Sequence, residues 1–234
     1  MEKLPIIAFI PCRMGSQRII NKNTKKFCGV KGGLTAIKLR QLIRCQDIDS
    51  IVVSTNDPKV IKITQDIMRE TGKSITIIER PENLCRSNSS TDSLIKYVPE
   101  IIPKGIILWT HVTSPFINEK VFSRCVRNYH ENVTDGKYDS LMSVSTLRTF
   151  IWDEKGPVNY DRAVERWPRT QTLPVYYEIN SGIFMSNREN YVTFGDRIGK
   201  KPYFFETDKF ESIDIDWEHD LVYAERIWSF ENNK

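Results

Sequence analysis

The sequence has no long hydrophobic run, and it is poor in the residues that build metal cages or disulfide frameworks. No apolar stretch approaches the roughly 20 residues of a membrane-spanning helix, and the first residues do not resemble a secretory signal. The five cysteines are scattered without a C-x-x-C pair, and only three histidines are present. These absences argue against a membrane protein, a disulfide scaffold and a zinc site, and they predict a cytoplasmic protein.

Acidic residues are missing from a long N-terminal stretch. Between Lys3 and Gln46 the chain carries ten lysines and arginines and no aspartate or glutamate, although its net charge is only +4. Such a local field attracts a polyanion. Nucleic acid is one possibility, but no helix-turn-helix, zinc-finger or RNP-type pattern is present, so we expect a nucleoside triphosphate and no nucleic acid. The absence of G-x-G-x-x-G from the first loop argues against a dinucleotide-dependent oxidoreductase.

The first apolar segment, Ile6–Ile10, and the loop after it carry the strongest functional signal. The segment is rich in isoleucine and apolar on both faces, which is typical of a buried parallel strand. Sheets of the α/β class place their ligands in loops at the carboxyl ends of such strands. The loop contains Arg13, Gly15, Arg18 and Lys22, which predict a polyphosphate-binding loop. The alternative is a basic surface turn.

Apolar and polar segments then alternate with the spacing of strand–loop–helix units. Predicted strands at 51–54, 75–78, 106–109 and 140–147 are separated by segments with helical apolar periodicity. Asp57 followed by Pro58 predicts the start of one helix, and Gly72 predicts its end. The order predicts an α/β fold with a doubly wound, mostly parallel sheet, in one domain over residues 1–234.

The alternation breaks between residues 148 and 181, where prolines fall among aromatic and charged residues. Trp152, Trp167 and Tyr176 belong to this segment. Aromatic residues beside arginines are typical of an interface. We expect a lid over the sheet edge or an arm that packs on a second subunit of a homodimer, with packing inside one chain as the alternative. Further strands are predicted at 182–186 and 202–206, followed by a closing helix.

The segment S-I-D-I-D at 212–216 predicts a site for a divalent cation. If it is extended, its isoleucines face the core while Asp214 and Asp216 share the opposite face. Their carboxylates then lie roughly 7 Å apart, which allows one direct ligand and one through water. Mg²⁺ suits this set, because it keeps waters and takes one or two carboxylates plus substrate phosphates. The alternative is that Asp216 caps the helix that follows.

These motifs together resemble the CMP-sialic acid synthetases, or acylneuraminate cytidylyltransferases, and more distantly the CMP-Kdo synthetases. The segment P-C-R-M-G-S-Q-R-I-I-N-K-N (11–23) is similar to the family signature P-A-R-x-G-S-K-R-I-x-x-K-N. Further similar motifs keep the family's order: V-V-S-T-N-D (52–57), R-P-E-N-L (80–84), T-S-P (113–115), R-T-Q-T-L-P-V-Y-Y-E-I-N-S-G (169–182) and S-I-D-I-D (212–216). The resemblance covers nearly the whole chain. It implies a Rossmann-like fold and Mg²⁺-dependent transfer of CMP from CTP to an acidic sugar, with release of pyrophosphate.

The resemblance also implies roles for individual residues. Those expected to bind the nucleotide are Arg13, Gly15, Ser16, Arg18, Lys22, Asn23, Arg80 and Thr91. Those expected to bind the acceptor sugar are His111, Thr113, Arg169, Gln171, Asn180 and Ser181. Arg169 and Gln171 belong to an arm that in the family often reaches across a homodimer, and Asn180-Ser181 stands where the family has N-G. Asp214 and Asp216 are the expected metal ligands, and catalysis is expected to depend on Arg13, Lys22 and Asp216.

Three departures from the family pattern bear on the acceptor more than on the nucleotide. Gln17 replaces a lysine, His111-Val112 replaces Gln-Pro, and Ser87 replaces an aspartate. The acceptor is therefore left open among sialic acid, pseudaminic or legionaminic acid, and a different acid such as a phosphonate, a phosphate or another keto-acid. A non-catalytic nucleotide-binding homologue is the remaining alternative.

Overall fold

The computed structural model describes residues 4–86, 88–134 and 136–232, and within them the chain forms nine strands and six α-helices. In chain order these are β1 (Ile6–Cys12), α1 (Gly33–Arg44), β2 (Ser50–Thr55), α2 (Pro58–Thr71), β3 (Thr76–Glu79), α3 (Thr91–Ile101), β4 (Ile106–Thr110), α4 (Glu119–Tyr129), β5 (Ser140–Leu147), β6 (Trp152–Asp153), β7 (Gly156–Pro157), β8 (Tyr176–Asn187), α5 (Arg188–Phe194), β9 (Pro202–Glu206) and α6 (Glu218–Asn232). Ser87 lies outside the described residues. Within them, every helix is too short or too polar to cross a bilayer.

One seven-stranded sheet organises the described part of the chain, with the strand order β3-β2-β1-β4-β8-β5-β9. Strands β1 to β4 pair in parallel, and so do β5 and β9, whereas β8 runs antiparallel between β4 and β5. The predicted doubly wound, mostly parallel sheet is therefore confirmed. The chain extends from β1 to one side and returns to the other side at β4, which makes a switch point of the type where open α/β sheets bind ligands.

Alternate residues of the central strand face two hydrophobic cores, one on each side of the sheet. Ile6, Ala8 and Ile10 of β1 belong to the core that α1, α2, α4 and α6 cover. Ile7 and Phe9 belong to the core that α3 and α5 cover. Because successive side chains of a strand point to opposite faces, a strand covered on both sides must be apolar throughout.

The helices begin and end at their capping signals. The carboxylate of Asp57 accepts a 2.9 Å hydrogen bond from the first turn of α2, and Gly72 ends that helix in the left-handed conformation with φ 67°. Asn118 caps α4 in the same way, through backbone amides of its first turn. The start of α3 at Thr91 is capped by Ser90. These local signals position the loops that precede α3 and α4 around the switch point.

The start of one predicted strand differs by several residues from the structure. The strand predicted at 182–186 begins earlier, at Tyr176, because its first part pairs with the end of β5 after a β-bulge between Met142 and Val144. Residues 176–179 are exposed, so they lack the apolar pattern of a buried strand. The S-I-D-I-D segment belongs to no strand, because Ser212 lies in a turn and residues 213–216 have no regular secondary structure.

The segment from 148 to 175 contains the short β6–β7 hairpin and one 3₁₀ turn at Thr170–Thr172. Trp152 and Trp167 remain largely exposed within it. The expectation that this segment covers the site or packs on a second subunit stays a prediction.

Candidate active site

A cleft of about 530 Å³ opens at the carboxyl ends of β1 and β4. The predicted site residues that line it are Arg13, Ser16, Arg18, Lys22, Asn23, Thr91, His111, Thr113, Ser181, Asp214 and Asp216. A second pocket of about 210 Å³ adjoins it and is lined by Arg80 as well as by Arg13, Thr91 and His111. The combined space matches the volume of ordinary small-molecule sites, which is roughly 300–1,000 Å³.

The loop after β1 is held by bonds to its own ends and to the neighbouring strand. The backbone N–H of Met14 donates to Oδ1 of Asn56 beyond the end of β2, at 2.8 Å. The side-chain amide of Asn23 donates to the carbonyl oxygen of Arg13 at 3.3 Å. Gly15 adopts φ 84°, a conformation that costs other residues about 1–2 kcal/mol. Gly15 does not line the cleft, so its contribution is to shape the loop.

This basic loop contacts the S-I-D-I-D segment directly. The Nζ of Lys22 donates to the carbonyl oxygen of Ile215 at 2.7 Å and to Oδ1 of Asp216 at 3.1 Å. Arg18 donates to the same Oδ1 at 2.9 Å. The cationic and anionic halves that the sequence predicted therefore lie on one cleft, and each neutralises the other.

Asp216 faces this cleft and does not cap α6. The backbone N–H groups of Asp216 and Trp217 donate to Oδ2 of Asp220, at 3.0 and 2.7 Å. Asp220 thus accepts the N–H groups that precede the helix. The side chain of Asp216 is left to Arg18 and Lys22, so the capping alternative is wrong.

Asp214 lies deeper than Asp216, beside the loop that follows β4. Its Oδ1 accepts a 3.3 Å hydrogen bond from the Ser114 hydroxyl, and the N–H of Ile215 donates to the carbonyl oxygen of Thr113 at 2.9 Å. Burial raises the pKa of Asp214, while hydrogen bonds from Thr113 and Ser114 act in the opposite direction. Ile215 is fully buried between the two aspartates, as the predicted alternation requires.

The two aspartates fit a Mg²⁺ ion by their donor chemistry. Carboxylate oxygens are the hard ligands that Mg²⁺ prefers, together with phosphate and water oxygens. The side chain of Asp216 is 42% exposed on the cleft, and both of its cationic partners bond to Oδ1. Within the described chain Oδ2 of Asp216 accepts no hydrogen bond. It could therefore bind a metal ion without breaking an existing contact.

His111 lies between the two pockets as a neutral hydrogen-bond donor. The indole Nε1 of Trp109 donates to its Nε2 at 2.9 Å. Because an indole nitrogen can only donate, Nε2 accepts, and the proton of the neutral ring resides on Nδ1. Burial, together with the nearby charges of Arg197 and Lys22, lowers the pKa of His111 to about 3.

Arg80 forms the wall of the smaller pocket. It is 5% exposed, and its guanidinium donates to the hydroxyl and the carbonyl oxygen of Ser54 at 3.1 and 2.7 Å. Burial lowers the pKa of this guanidinium from its ordinary value. The group is therefore fixed at the end of β2, where it presents a rigid polar surface beside Thr91.

Two residues of the site were missed in the sequence. Lys38 of α1 is fully buried, and its Nζ donates to the carbonyl oxygens of Ser114 and Ile117 at 2.9 and 2.6 Å. It holds the loop that carries the partners of Asp214, and burial lowers its pKa well below the usual range. The signal was present, because Lys38 lies four residues from both Leu34 and Leu42, inside the apolar stripe of the helix. The second residue is Arg197, which lines the cleft without belonging to any predicted motif.

Some predicted acceptor-binding residues lie outside the cleft of their own chain. Arg169 and Gln171 are exposed at the 3₁₀ turn. The amide of Asn180 accepts from Ser143 at 2.6 Å and donates to Thr207 at 2.6 Å, so it supports the backbone beside Ser181. Their roles toward a substrate stay predictions.

Ser181 itself lines the cleft in a strained conformation. Its φ of 57° lies in the left-handed region, which costs a residue with a side chain roughly 1–2 kcal/mol. Strain of this kind is often found at functional sites.

The sequence is similar to those of known proteins. The family model described as cytidylyltransferase matches residues 7–234. The N-acylneuraminate cytidylyltransferase of Streptococcus agalactiae serotype V is 24% identical over 220 residues, which is 93% of this chain and 52% of that protein. The enzyme of that name from Escherichia coli O18:K1:H7 is 24% identical over 236 residues, covering 98% and 53%. The chain thus spans about half the length of the curated relatives it matches.

Solved structures share the fold at low identity. A CMP:2-keto-3-deoxy-manno-octonic acid synthetase complexed with CTP superimposes with a TM-score of 0.67 at 13% identity, covering 97% of this chain and 99% of the other. The 4-diphosphocytidyl-2C-methyl-D-erythritol synthase of Anaerococcus prevotii gives 0.66 at 16% identity, covering 97% and 96%. Because the family model spans almost the entire sequence, the chain belongs to the cytidylyltransferase family.

Proposed function

We propose that this protein transfers CMP from CTP to the hydroxyl of an acidic, sialic-acid-like nonulosonic sugar, with Mg²⁺ as cofactor and pyrophosphate as the second product. The observation that carries the proposal is the direct contact between Lys22 and Asp216 on one cleft. In this cleft, cationic side chains that can bind phosphates lie beside carboxylates that can bind a divalent metal ion. Family membership supports the reaction class, and the names of the curated relatives support the acceptor class.

The nucleotide fits across the two pockets. Its triphosphate would lie on the basic loop, where Arg13, Arg18 and Lys22 supply the charge. Its ribose and base would lie in the smaller pocket beside Arg80 and Thr91. On binding, phosphate oxygens replace Asp216 as partners of Arg18 and Lys22, which frees the carboxylate to hold the metal.

Asp214 and Asp216 would hold the Mg²⁺ ion, which when bound neutralises charge on the phosphates as a Lewis acid. The acceptor hydroxyl attacks the α-phosphorus in line and loses its proton to solvent. The bond between the α-phosphorus and the oxygen that bridges to the β-phosphate breaks, and pyrophosphate leaves. Arg13 and Lys22 orient the triphosphate and stabilise the charge of the leaving group. His111 is excluded as general base, because its Nε2 already accepts a hydrogen bond from the indole N–H of Trp109 and its Nδ1 carries a proton.

We further propose that the protein acts as a homodimer in which residues 148–181 of one copy complete the acceptor site of the other. Arg169 and Gln171 are exposed and lie outside their own cleft. The same segment leaves Val164 85% and Trp167 63% exposed, and exposed apolar groups of this kind mark interaction surfaces. A second copy would cover these side chains.

The reaction is tested by measuring pyrophosphate release from CTP with a panel of nine-carbon and eight-carbon keto-acid sugars. ATP, GTP and UTP serve as competing nucleotides, and Asp216→Asn is the inactive control. We expect release with CTP, a divalent metal and at least one acid sugar. Release only with a phosphonate or phosphate acceptor would reassign the acceptor. Binding of CTP without release across the whole panel would favour a non-catalytic homologue.

A further inference from the structure

The cleft contains a cation that does not belong to the basic loop. Arg197 lines the cleft from the segment between α5 and β9. Its guanidinium carbon lies 3.5 Å from the ring centroid of Phe184 and 5.2 Å from that of Trp109. These two aromatic residues are paired across β4 and β8 and are almost completely buried. The guanidinium therefore rests on a rigid aromatic platform at the wall of the cleft.

The backbone around Arg197 is held on both sides. Gly195 ends α5 with φ 64°, and the N–H of Gly199 donates to the hydroxyl of Ser140 at 2.9 Å. A side chain at Gly199 would overlap the carboxyl group of Asp139, so this end of the segment packs closely against β5. A donor presented by such a segment is preorganised, and a ligand that binds it loses little conformational freedom in the protein.

Arg197 has no ion-pair partner among the residues at 4–86, 88–134 and 136–232. Asp196 contributes a favourable charge, but its Oδ1 accepts the backbone N–H of Arg197 at 2.6 Å. The Arg197 side chain is half-buried, and this burial lowers the pKa of its guanidinium from the ordinary value. A cation that is partly desolvated and unpaired is costly for the free protein, and an anionic ligand would compensate this cost.

We propose that Arg197 determines acceptor specificity by binding the carboxylate of the acid sugar, with the Nδ1–H of His111 as a second donor. This inference rests on the proposed function. A guanidinium binds a carboxylate through two parallel N–H bonds, which fixes the orientation of the acid as well as its position. The acceptor's charge is then held apart from the triphosphate on Lys22 and Arg18. Capping of the aromatic core by Arg197 is the structural alternative.

Steady-state kinetics of three variants distinguish carboxylate binding by Arg197 from a purely structural role. Arg197→Met keeps an aliphatic stem over Phe184 but removes the charge, and we expect the acceptor KM to rise about tenfold or more with the CTP KM within about twofold. Arg197→Lys should recover part of this loss. Lys200→Met is the matched control, because Lys200 also lies over an aromatic ring, 5.5 Å from Phe194, without lining the cleft. An unchanged acceptor KM in Arg197→Met would overturn the proposal.

A binding measurement tests whether Arg197 contacts the carboxylate of the acceptor, and it does not require turnover. The Nε–H resonance of Arg197, assigned by its loss in Arg197→Lys, is followed by NMR while N-acetylneuraminic acid, 3-deoxy-manno-octulosonic acid or their methyl esters are added. We expect shifts with at least one acid and none with its ester. No shift with either acid, or equal shifts with acid and ester, would refute the role of Arg197. Shifts with an acid but no pyrophosphate release from any acceptor would uphold Arg197 and refute the proposed function.

Discussion

Lys22 and Arg18 both bind Asp216, but they differ in burial and in the number of their hydrogen-bond acceptors. The side chain of Lys22 is 11% exposed and has a second acceptor in the carbonyl oxygen of Ile215, whereas Arg18 is 44% exposed and lies over the ring of Trp217. The Arg18–Asp216 pair, with side chains 44% and 42% exposed, contributes about 0–1 kcal/mol to stability because water screens it. Under the proposed function, the arrangement places one firmly held cation and one more exposed cation beside the phosphates of CTP.

Lys22→Ala should lower the rate of pyrophosphate release by about 100-fold or more, since it removes a largely buried charge that the proposed mechanism places at the leaving group. The protein should stay folded, as judged by circular dichroism and thermal unfolding. Arg18→Ala is the comparison and should lose less activity, because the Arg18 side chain is more exposed and has one acceptor where Lys22 has two. Near-normal turnover in Lys22→Ala would remove that residue from the mechanism.

His111 should make stability depend on pH. Its pKa is 6.5 in the unfolded chain and about 3 in the fold, so between these values the unfolded state binds a proton that the native state does not. The stabilising contribution is fully present above pH 6.5 and is lost as pH falls toward 3. Urea unfolding at pH 7.5, 6.0 and 5.0 should show a shallower decline for His111→Asn than for the parent protein. Parallel declines would contradict the assignment of a neutral, buried ring.

At the scale of elements, the site depends on the entry into α1. Gly33, its first residue, has φ 56°, and a Cβ there would overlap the backbone carbonyl oxygen of Lys25 at the end of the basic loop. Gly72 at the end of α2 has a similar φ of 67°, but the space around it is open. The two glycines thus share a backbone conformation, but only Gly33 lacks room for a side chain.

Gly33→Ala should therefore destabilise the protein by clearly more than Gly72→Ala. For Gly72→Ala we expect about 1 kcal/mol, the cost of a left-handed residue with a side chain. For Gly33→Ala the steric overlap adds to this cost and displaces the loop, so the affinity for CTP should fall as well. Urea unfolding and CTP titration of both variants measure these effects, and equal losses of stability would show that the crowding at Gly33 is relieved by movement.

Local signals account for the elements that the sequence predicted correctly. Asp57 and Gly72 act within their own helix turn, so their roles could be read directly from the chain. The roles of Lys38 and Arg197 could not be assigned in this way. Lys38 lies in the apolar stripe of its helix, but its partners belong to the loop after β4, and the aromatic partners of Arg197 belong to the β4–β8 pair. The tautomer of His111 likewise depends on Trp109, whose orientation only the packed sheet determines.

At the scale of the whole molecule, the cleft unites distant parts of the chain but leaves Arg169 and Gln171 outside. The residues proposed to bind the phosphates line the cleft of one chain, whereas Arg169 and Gln171, which are proposed to bind the acceptor, do not. A site shared between two copies would show this pattern. In a dimer with two-fold symmetry, each arm would serve the partner's cleft. Light scattering should then give twice the mass of one chain, and a mass of one chain would contradict the arrangement.

Complementation between two defective copies tests whether the site is shared. A heterodimer of Lys22→Ala and Arg169→Ala subunits, purified through two different tags, has one cleft with intact Lys22 and an intact arm from its partner. It should show about half the activity of the parent dimer, whereas each variant homodimer should be strongly impaired. If Arg169 instead acts on the cleft of its own chain, both sites of the heterodimer are damaged. Its activity would then stay at the mean of the two homodimers, because exchanging subunits would repair neither cleft.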